Sequence, residues 1–218
     1  MHQKNNWKRM KLNGIETIVF DLGGVLINLN KQRCIEAFAA LGYNEAEDLL
    51  SNFRQSGLFL QLEEGHISPE TFRNGIRQGS GKELSDTEID HALNQFLLDL
   101  PQEKLDLILA LRKKYRVCML SNTNKIMFDH IVPAYFENDG YTLSDYFDQV
   151  FLSYEMGVAK PDLRIFEMMV EDGNLIPQNT LFVDDSVLNT DAASELGFQV
   201  YTAKPFEDFC PLFEKALL

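Results

Sequence analysis

Short runs of consecutive apolar residues, many of them β-branched, recur along the chain and are typical of buried strands. Between the later runs, apolar residues return at the spacing of an amphipathic helix, as from Glu103 to Lys114. The pattern predicts strands at 15–20, 116–120, 148–152, 180–183 and 198–202, and helices at 103–114, 163–171 and 190–196. This alternation indicates an α/β fold in which a parallel sheet has helices on both faces.

The first strand is followed by an interval that breaks this alternation. About 80 residues separate it from the helix at 103, against roughly 30 for a plain strand–helix–strand unit. The interval predicts helices at 33–41, 45–53, 69–78 and 86–98. We therefore expect a small helical domain, residues 30–99, inserted into an α/β core of residues 1–29 and 100–218. Its aromatic residues are expected to form a core of their own: Phe38, Phe53, Phe59 and Phe72.

Composition and charge narrow the class of protein. A formal net charge of -13 argues against binding to a nucleic-acid backbone, although a local cation still permits a small anionic substrate. No run approaches the ~18 apolar residues of a membrane span, and residues 1–13 lack a secretory signal. Three widely spaced cysteines (Cys34, Cys118 and Cys210) suggest neither a disulfide framework nor a metal site. We expect a cytoplasmic monomer or weak dimer.

Four polar segments directly follow predicted strands. They contain Asp21 before Gly23 and Gly24, Ser121 with Asn122, Lys160 before Pro161, and Asp184 with Asp185. Each segment alone also fits an ordinary role: an aspartate turn, a helix cap, a surface lysine or an exposed loop. Because the carboxyl ends of parallel strands share one edge of a sheet, we expect all four segments to form a single site.

The chemistry of these residue types indicates a cation and an anionic ligand. Adjacent carboxylates that end a buried strand, as at Asp184 and Asp185, need a positive partner, and oxygen ligands suit Mg²⁺. A lysine held by a following proline, as at Lys160, is suited to neutralising a phosphate. The hydroxyl and amide groups of Ser121 and Asn122 offer donors to an anion.

In order and spacing, these segments resemble the four motifs of the haloacid dehalogenase-like (HAD) hydrolase superfamily. The resemblance covers residues 15 to about 205 and implies a three-layer Rossmann-like core. The helical insert is similar to the cap domain of the family's first cap class. The segments 62–68 and 157–162 resemble sugar-phosphate phosphatases and the phosphatase domains of epoxide hydrolases.

The resemblance also implies a function and a set of roles. It implies a Mg²⁺-dependent phosphatase that acts on a small phosphorylated metabolite, a sugar phosphate or a nucleotide, through an aspartyl-phosphate. The implied roles are Asp21 as nucleophile; Asp21, the carbonyl of Gly23 and Asp185 as metal ligands; Ser121, Asn122 and Lys160 as phosphate ligands; and Asp184 and Asn189 as supports of the metal shell.

The chain departs from the family at Gly23. Phosphatases of the family usually carry an aspartate there, which protonates the leaving oxygen and then activates water, and such assistance is typically worth ~10²–10⁴-fold. Glu63, Glu64 and His66 of the insert are candidate substitutes. Two alternatives stay open: a weakened phosphate-binding or regulatory protein, and a haloacid dehalogenase, against which the paired carboxylates argue.

Overall fold

Five strands form one parallel sheet in the computed structural model, which describes residues 12–50, 57–137, 139–213 and 217. The strands are β1 (Thr17–Phe20), β2 (Arg116–Ser121), β3 (Gln149–Leu152), β4 (Thr180–Asp184) and β5 (Gln199–Thr202). Their order across the sheet is β3-β2-β1-β4-β5. The α/β fold class predicted from the hydrophobic pattern is confirmed, and every predicted strand is present to within two residues at each end.

Strand β1 lies at the centre of the sheet. All four of its residues are buried, and it pairs with β2 on one side and with β4 on the other. Successive side chains of a strand point to opposite faces, so Ile18 and Phe20 pack into one apolar layer and Val19 into the other. The residue after β1 therefore leaves the sheet at the middle of its carboxyl edge.

Helices cover both faces of the sheet. In the core they are α6 (Gln102–Leu111), α7 (Lys125–Phe128), α8 (Val132–Phe136), α9 (Leu143–Tyr146), α10 (Ser153–Met156), α11 (Leu163–Gly173) and α12 (Val187–Glu195). Helix α6 packs in the layer of Phe20, whereas α11 and α12 pack in the layer of Val19. Among the described residues, no helix is long and apolar enough to cross a membrane.

The interval after β1 is helical, as predicted. It contains α1 (Lys31–Ala40), α2 (Ala46–Leu49), α3 (Leu58–Glu63), α4 (Pro69–Ser80) and α5 (Asp86–Asn94). Phe38 and Phe72 lie at the centre of its apolar cluster and Phe59 packs against it, while Phe53 lies outside the described residues. Ile126 and Met127 of α7 join the same cluster, so the insert rests on the core through α7.

Two chain segments connect the insert to the core, and they pair with each other. Leu29 and Leu97 form an antiparallel bridge, and the Asn28 N–H donates to the Asp99 carbonyl at 2.8 Å. This pairing explains why α5 ends at Asn94 and not at residue 98 as predicted. The backbone groups of residues 96–98 bond to the opposite segment or to a turn, and not within a continued helix.

Candidate active site

Asp21 leaves the carboxyl end of β1 with its side chain almost fully buried. Its N–H donates to the Val183 carbonyl of β4 at 2.8 Å, which fixes the residue at the strand edge. Its Oδ1 accepts from the Leu22 N–H at 2.7 Å and from the Lys160 ammonium at 2.8 Å. No described residue donates to Oδ2, so one oxygen of Asp21 is left for another ligand.

The Lys160 side chain joins three strand ends. Its buried ammonium contacts Asp21 Oδ1 at 2.8 Å and Asp184 Oδ2 at 2.7 Å, and it donates to the Leu120 carbonyl at 3.0 Å. Burial opposes the charge of Lys160, but Asp184 and Asp21 outweigh this and raise its pKa. The lysine is therefore a fixed cation between two carboxylates and not a surface lysine.

Asp184 ends β4 fully buried, with donors on both of its carboxylate oxygens. Lys160 occupies Oδ2, while Oδ1 accepts from the Ser186 N–H at 2.8 Å and from Asn189 Nδ2 at 2.9 Å. Asn189 lies on α12, which begins just after this strand, and it is buried as well. Asp184 thus orients Lys160, and each of its oxygens already accepts from at least one donor.

Asp185, the next residue, turns toward the glycines that follow β1. An ideal Cβ built on Gly24 would lie 2.1 Å from Asp185 Oδ2, so only a residue without a side chain fits there. Gly24 also has a φ of +79°, which favours glycine. Gly23 precedes it, and its main-chain carbonyl accepts none of the described hydrogen bonds outside regular helices and strands. The paired glycines thus let Asp185 approach the β1 turn.

The carboxylates carry more negative charge than Lys160 balances. One oxygen each from Asp21, Asp184 and Asp185 lies within 4.8 Å of the other two. Burial raises the pKa of Asp21 to about 7, with Lys160 opposing and Asp184 adding to the shift. Burial, followed by the charge of Asp184, also raises the pKa of Asp185. A hard divalent cation fits this oxygen set, and Asp21 Oδ2 and Asp185 are the oxygens still available to it.

The segment after β2 is built differently from the sequence expectation. Ser121 is buried at the strand end, and its hydroxyl makes one long contact, 3.4 Å to the Asn122 carbonyl. Asn122 instead holds the backbone of Lys160: Oδ1 accepts from its N–H at 2.8 Å and Nδ2 donates to its carbonyl at 2.9 Å. Asn124, and not Ser121, caps the following helix.

Ser153 and Asn124 are positioning residues that the sequence analysis missed. Ser153 Oγ exchanges hydrogen bonds of 3.0 and 3.1 Å with the main chain of Thr123, which ties α10 to the loop after β2. Both residues are fully buried. A small polar residue directly after β3 was the available signal for Ser153, because the other strands end in the same way.

The three candidate proton donors of the insert differ in their surroundings. Glu64 and His66 pair with each other at 3.3 Å, and the His66 side chain is 57% exposed. Glu63 ends α3, is half-buried, and has neither a hydrogen bond nor an ion pair with a described residue. The positive charge of Lys160 lowers the pKa of Glu63, and the negative charge of Asp21 raises it. Of the three residues, Glu63 is the one whose pKa responds to the charges of the carboxylate cluster.

Comparison with known proteins agrees with this geometry. A family model described as haloacid dehalogenase-like hydrolase matches residues 15–197. The chain belongs to this family. The match spans the central strand with Asp21, the complete insert and the three later motifs, so it covers every residue of the site described above.

Relatives of this HAD hydrolase extend over nearly the whole chain. It is 40% identical over 187 residues to the D-ribitol-5-phosphate phosphatase of Bacteroides thetaiotaomicron. The aligned residues cover 86% of this chain and 91% of that protein. A HAD family enzyme from the same organism, solved with magnesium and inorganic phosphate, is 46% identical with a TM-score of 0.87, covering 92% of this chain and 100% of the other. A predicted HAD-like hydrolase from Porphyromonas gingivalis is 41% identical with a TM-score of 0.86, covering 93% and 98%.

The family match and these relatives identify the chain as a phosphatase of the HAD family. The family and enzyme class predicted from the sequence are confirmed. The predicted Mg²⁺ cofactor agrees with the magnesium in the structure of the 46% identical relative.

Proposed function

We propose that this HAD phosphatase is Mg²⁺-dependent and removes phosphate from a small phosphorylated polyol or sugar through an aspartyl-phosphate at Asp21. One observation carries the proposal. The Lys160 ammonium is fixed between Asp21 and Asp184, while Asp21 keeps one oxygen without a donor at the carboxyl edge of the sheet. A nucleophile of a phosphoryl transfer requires this combination of a positioned oxygen and nearby positive charge.

The metal would be held by Asp21, Asp185 and the carbonyl of Gly23. When bound, Mg²⁺ would supply positive charge that offsets the repulsion between a carboxylate nucleophile and a phosphate dianion. Asp184 and Asn189 would support this shell indirectly, because their hydrogen bond fixes the strand end from which Asp185 projects. This division follows from the donors already present on Asp184 and from the free oxygens elsewhere.

The chain's own residues would then carry out the transfer. Asp21 Oδ2 attacks phosphorus as the ester bond to the leaving oxygen breaks, and Lys160 holds the nucleophile in place through Oδ1. Ser121 and Lys160 stabilise the phosphoryl oxygens, while Asn122 keeps the Lys160 backbone in position. A predicted contact between Asn122 and phosphate stays a prediction. Water then attacks the phosphorus of the aspartyl-phosphate and regenerates Asp21.

Residues 30–99 would act as a cap that covers the substrate. The insert rests on α7, and the turn after α3 lies against α10 at the sheet edge that carries Asp21, so a ligand at Asp21 would lie between the two layers. Such a cover excludes water from the reacting centre. The substrate class follows from the relative named for D-ribitol 5-phosphate, so we propose pentitol and pentose phosphates before nucleotides. A cytoplasmic location and a monomeric or weakly dimeric state stay predictions.

Phosphate release tests the proposal. We expect release from D-ribitol 5-phosphate and p-nitrophenyl phosphate in Mg²⁺, loss of release in EDTA, and stronger turnover of pentitol and pentose phosphates than of nucleotides. Asp21→Asn removes the nucleophile and should abolish turnover, whereas the matched change at the exposed Asp191 on α12 should leave it intact. Turnover that persists in EDTA would contradict the metal assignment, and an active Asp21→Asn variant would contradict the nucleophile.

A further inference from the structure

Gly23 leaves the site without the usual proton donor, and the structure shows why a side chain there would be crowded. An ideal Cβ on Gly23 would lie 3.1 Å from Leu29 Cδ1, with two more Leu29 carbons within 3.7 Å. Leu29 is itself held by its bridge to Leu97. The space beside Gly23 is therefore filled by the connecting segment. A group that protonates the leaving oxygen has to come from another element.

The end of α3 is seated firmly on the core. The turn after this helix contains Gly65, whose φ is +65°, and an ideal Cβ there would lie 2.2 Å from the Tyr154 carbonyl of α10. The backbone of the turn thus lies directly against the backbone of α10. Because α10 follows β3 at the same edge of the sheet, this contact fixes α3 beside the strand ends.

Glu63 is the last residue of α3, the helix whose end this contact places beside the strand ends. The residue is half-buried, and no described residue pairs with its carboxyl. The charges of Lys160 and Asp21 act on it. A half-buried carboxyl with no structural partner contributes little to folding, which favours a role toward a ligand.

We propose that Glu63 is the catalytic acid and base of this phosphatase, in place of the missing aspartate at Gly23. The assignment rests on the proposed function. In the first step, Asp21 Oδ2 forms a bond to phosphorus while the bond between phosphorus and the bridging oxygen breaks. The Glu63 carboxyl gives its proton to that leaving oxygen. In the second step, the Glu63 carboxylate takes a proton from water as the water oxygen attacks the aspartyl-phosphate. Phosphate leaves, and both carboxyl groups return to their starting state.

The protonation state of Glu63 agrees with this role. Burial raises its pKa to about 8, while Lys160 opposes the shift and Asp21 and Glu64 add to it. The free carboxyl therefore holds a proton near neutral pH, as an acid in the first step requires. Glu64, the neighbouring residue, is paired with His66 and serves as the matched control.

Leaving-group dependence of the Glu63→Gln variant tests the assignment. An alkoxide needs a proton to leave, whereas p-nitrophenolate does not. We expect kcat for D-ribitol 5-phosphate to fall about 10²–10⁴-fold. With p-nitrophenyl phosphate we expect a rapid burst of one p-nitrophenolate per site, followed by slow turnover, since water attack still lacks its base. The Glu64→Gln variant should behave like the wild type with both esters.

Several outcomes separate the proposals. A wild type that hydrolyses neither ester contradicts the proposed function and this assignment together. An active wild type with an equally active Glu63→Gln variant contradicts the assignment alone. A variant whose KM rises equally for both esters, with kcat and the burst unchanged, shows that Glu63 binds substrate and is not the acid. Should Glu63→Gln fail to fold, Glu63→Asp keeps the acid, and it must lose less kcat on D-ribitol 5-phosphate than Glu63→Ala does.

Discussion

The contact between Gly24 and Asp185 gives the sharpest structural prediction. A Cβ at residue 24 would lie 2.1 Å from Asp185 Oδ2 and 2.6 Å from its Cγ. To restore ordinary contact in a Gly24→Ala variant, the carboxylate and the turn must separate by about 1.3 Å. A misplacement of about 1 Å in a catalytic constellation costs on the order of 10²-fold in rate. We therefore expect kcat to fall about 100-fold and the apparent Mg²⁺ affinity to weaken.

Gly14 provides the matched control for this variant. Its φ is +85°, close to the +79° of Gly24, yet nothing lies within 4 Å of its ideal Cβ. Gly14→Ala therefore carries the strain of a left-handed backbone, about 1–2 kcal/mol, without any collision. Unfolding in urea should show a stability loss in both variants, larger in Gly24→Ala because of the added collision. Activity titrated with Mg²⁺ should fall in Gly24→Ala alone. Equal kcat and equal Mg²⁺ affinity in the two variants would refute the reasoning.

Three further predictions concern buried charges. In Lys160→Met, Asp21 and Asp184 lose their shared cation, so urea unfolding in EDTA should show a loss of about 3–5 kcal/mol; a stability equal to wild type would contradict the pairing. The pKa of Asp21 is about 7 in the metal-free fold and 3.8 in an unfolded chain. The folded state therefore binds the proton more tightly, and its stability falls as the pH rises from about 4 to about 7. Mg²⁺ should therefore raise Tm more at about pH 8 than at about pH 5, and an equal rise at both would contradict the shift. Lys104 of α6 is buried and donates to the Val25 carbonyl at 2.5 Å. Because Lys104→Met leaves this carbonyl without a donor, the free energy of unfolding in urea should fall by about 1–3 kcal/mol. An unchanged midpoint would show that this hydrogen bond contributes nothing.

The sequence was sufficient for the fold and for the residues that gather at the sheet edge. The apolar runs marked all five strands because parallel strands are buried on both faces. Their shared direction then predicted that Asp21, Lys160 and Asp184 would meet, and the structure brings the three together. Strand direction and the polar residues that follow each strand are enough to bring these groups to one edge.

Helix ends and short helices were less predictable. Helix α3 is six residues long and was not predicted, and α5 stops at Asn94 because the connecting segments pair with each other. Both results depend on contacts between residues far apart in the chain, which local periodicity does not contain.

Side-chain roles within the site also depended on tertiary contacts. Asn122 was expected to face phosphate, yet both of its polar atoms bind the backbone of Lys160. Gly23 was interpreted as a metal ligand through its carbonyl and as the position of a missing acid, and the structure adds that Leu29 occupies the adjacent space. Likewise, Glu63 could not be separated from Glu64 and His66 until burial and pairing were known. The spacing of polar residues along the sequence identifies the residues of a site. Tertiary packing determines which of their atoms remain free to bind a ligand.

The central claim is that Asp21 accepts the phosphoryl group, and mass spectrometry of acid-quenched enzyme tests it most directly. Enzyme turning over p-nitrophenyl phosphate in Mg²⁺ would be quenched within one turnover, digested and mapped, with Asp21→Asn as the control. We predict one phosphoryl group on the peptide that contains Asp21, and none in the variant or in EDTA. Turnover with no phosphorylated peptide, or with the phosphoryl group on another residue, would contradict the account.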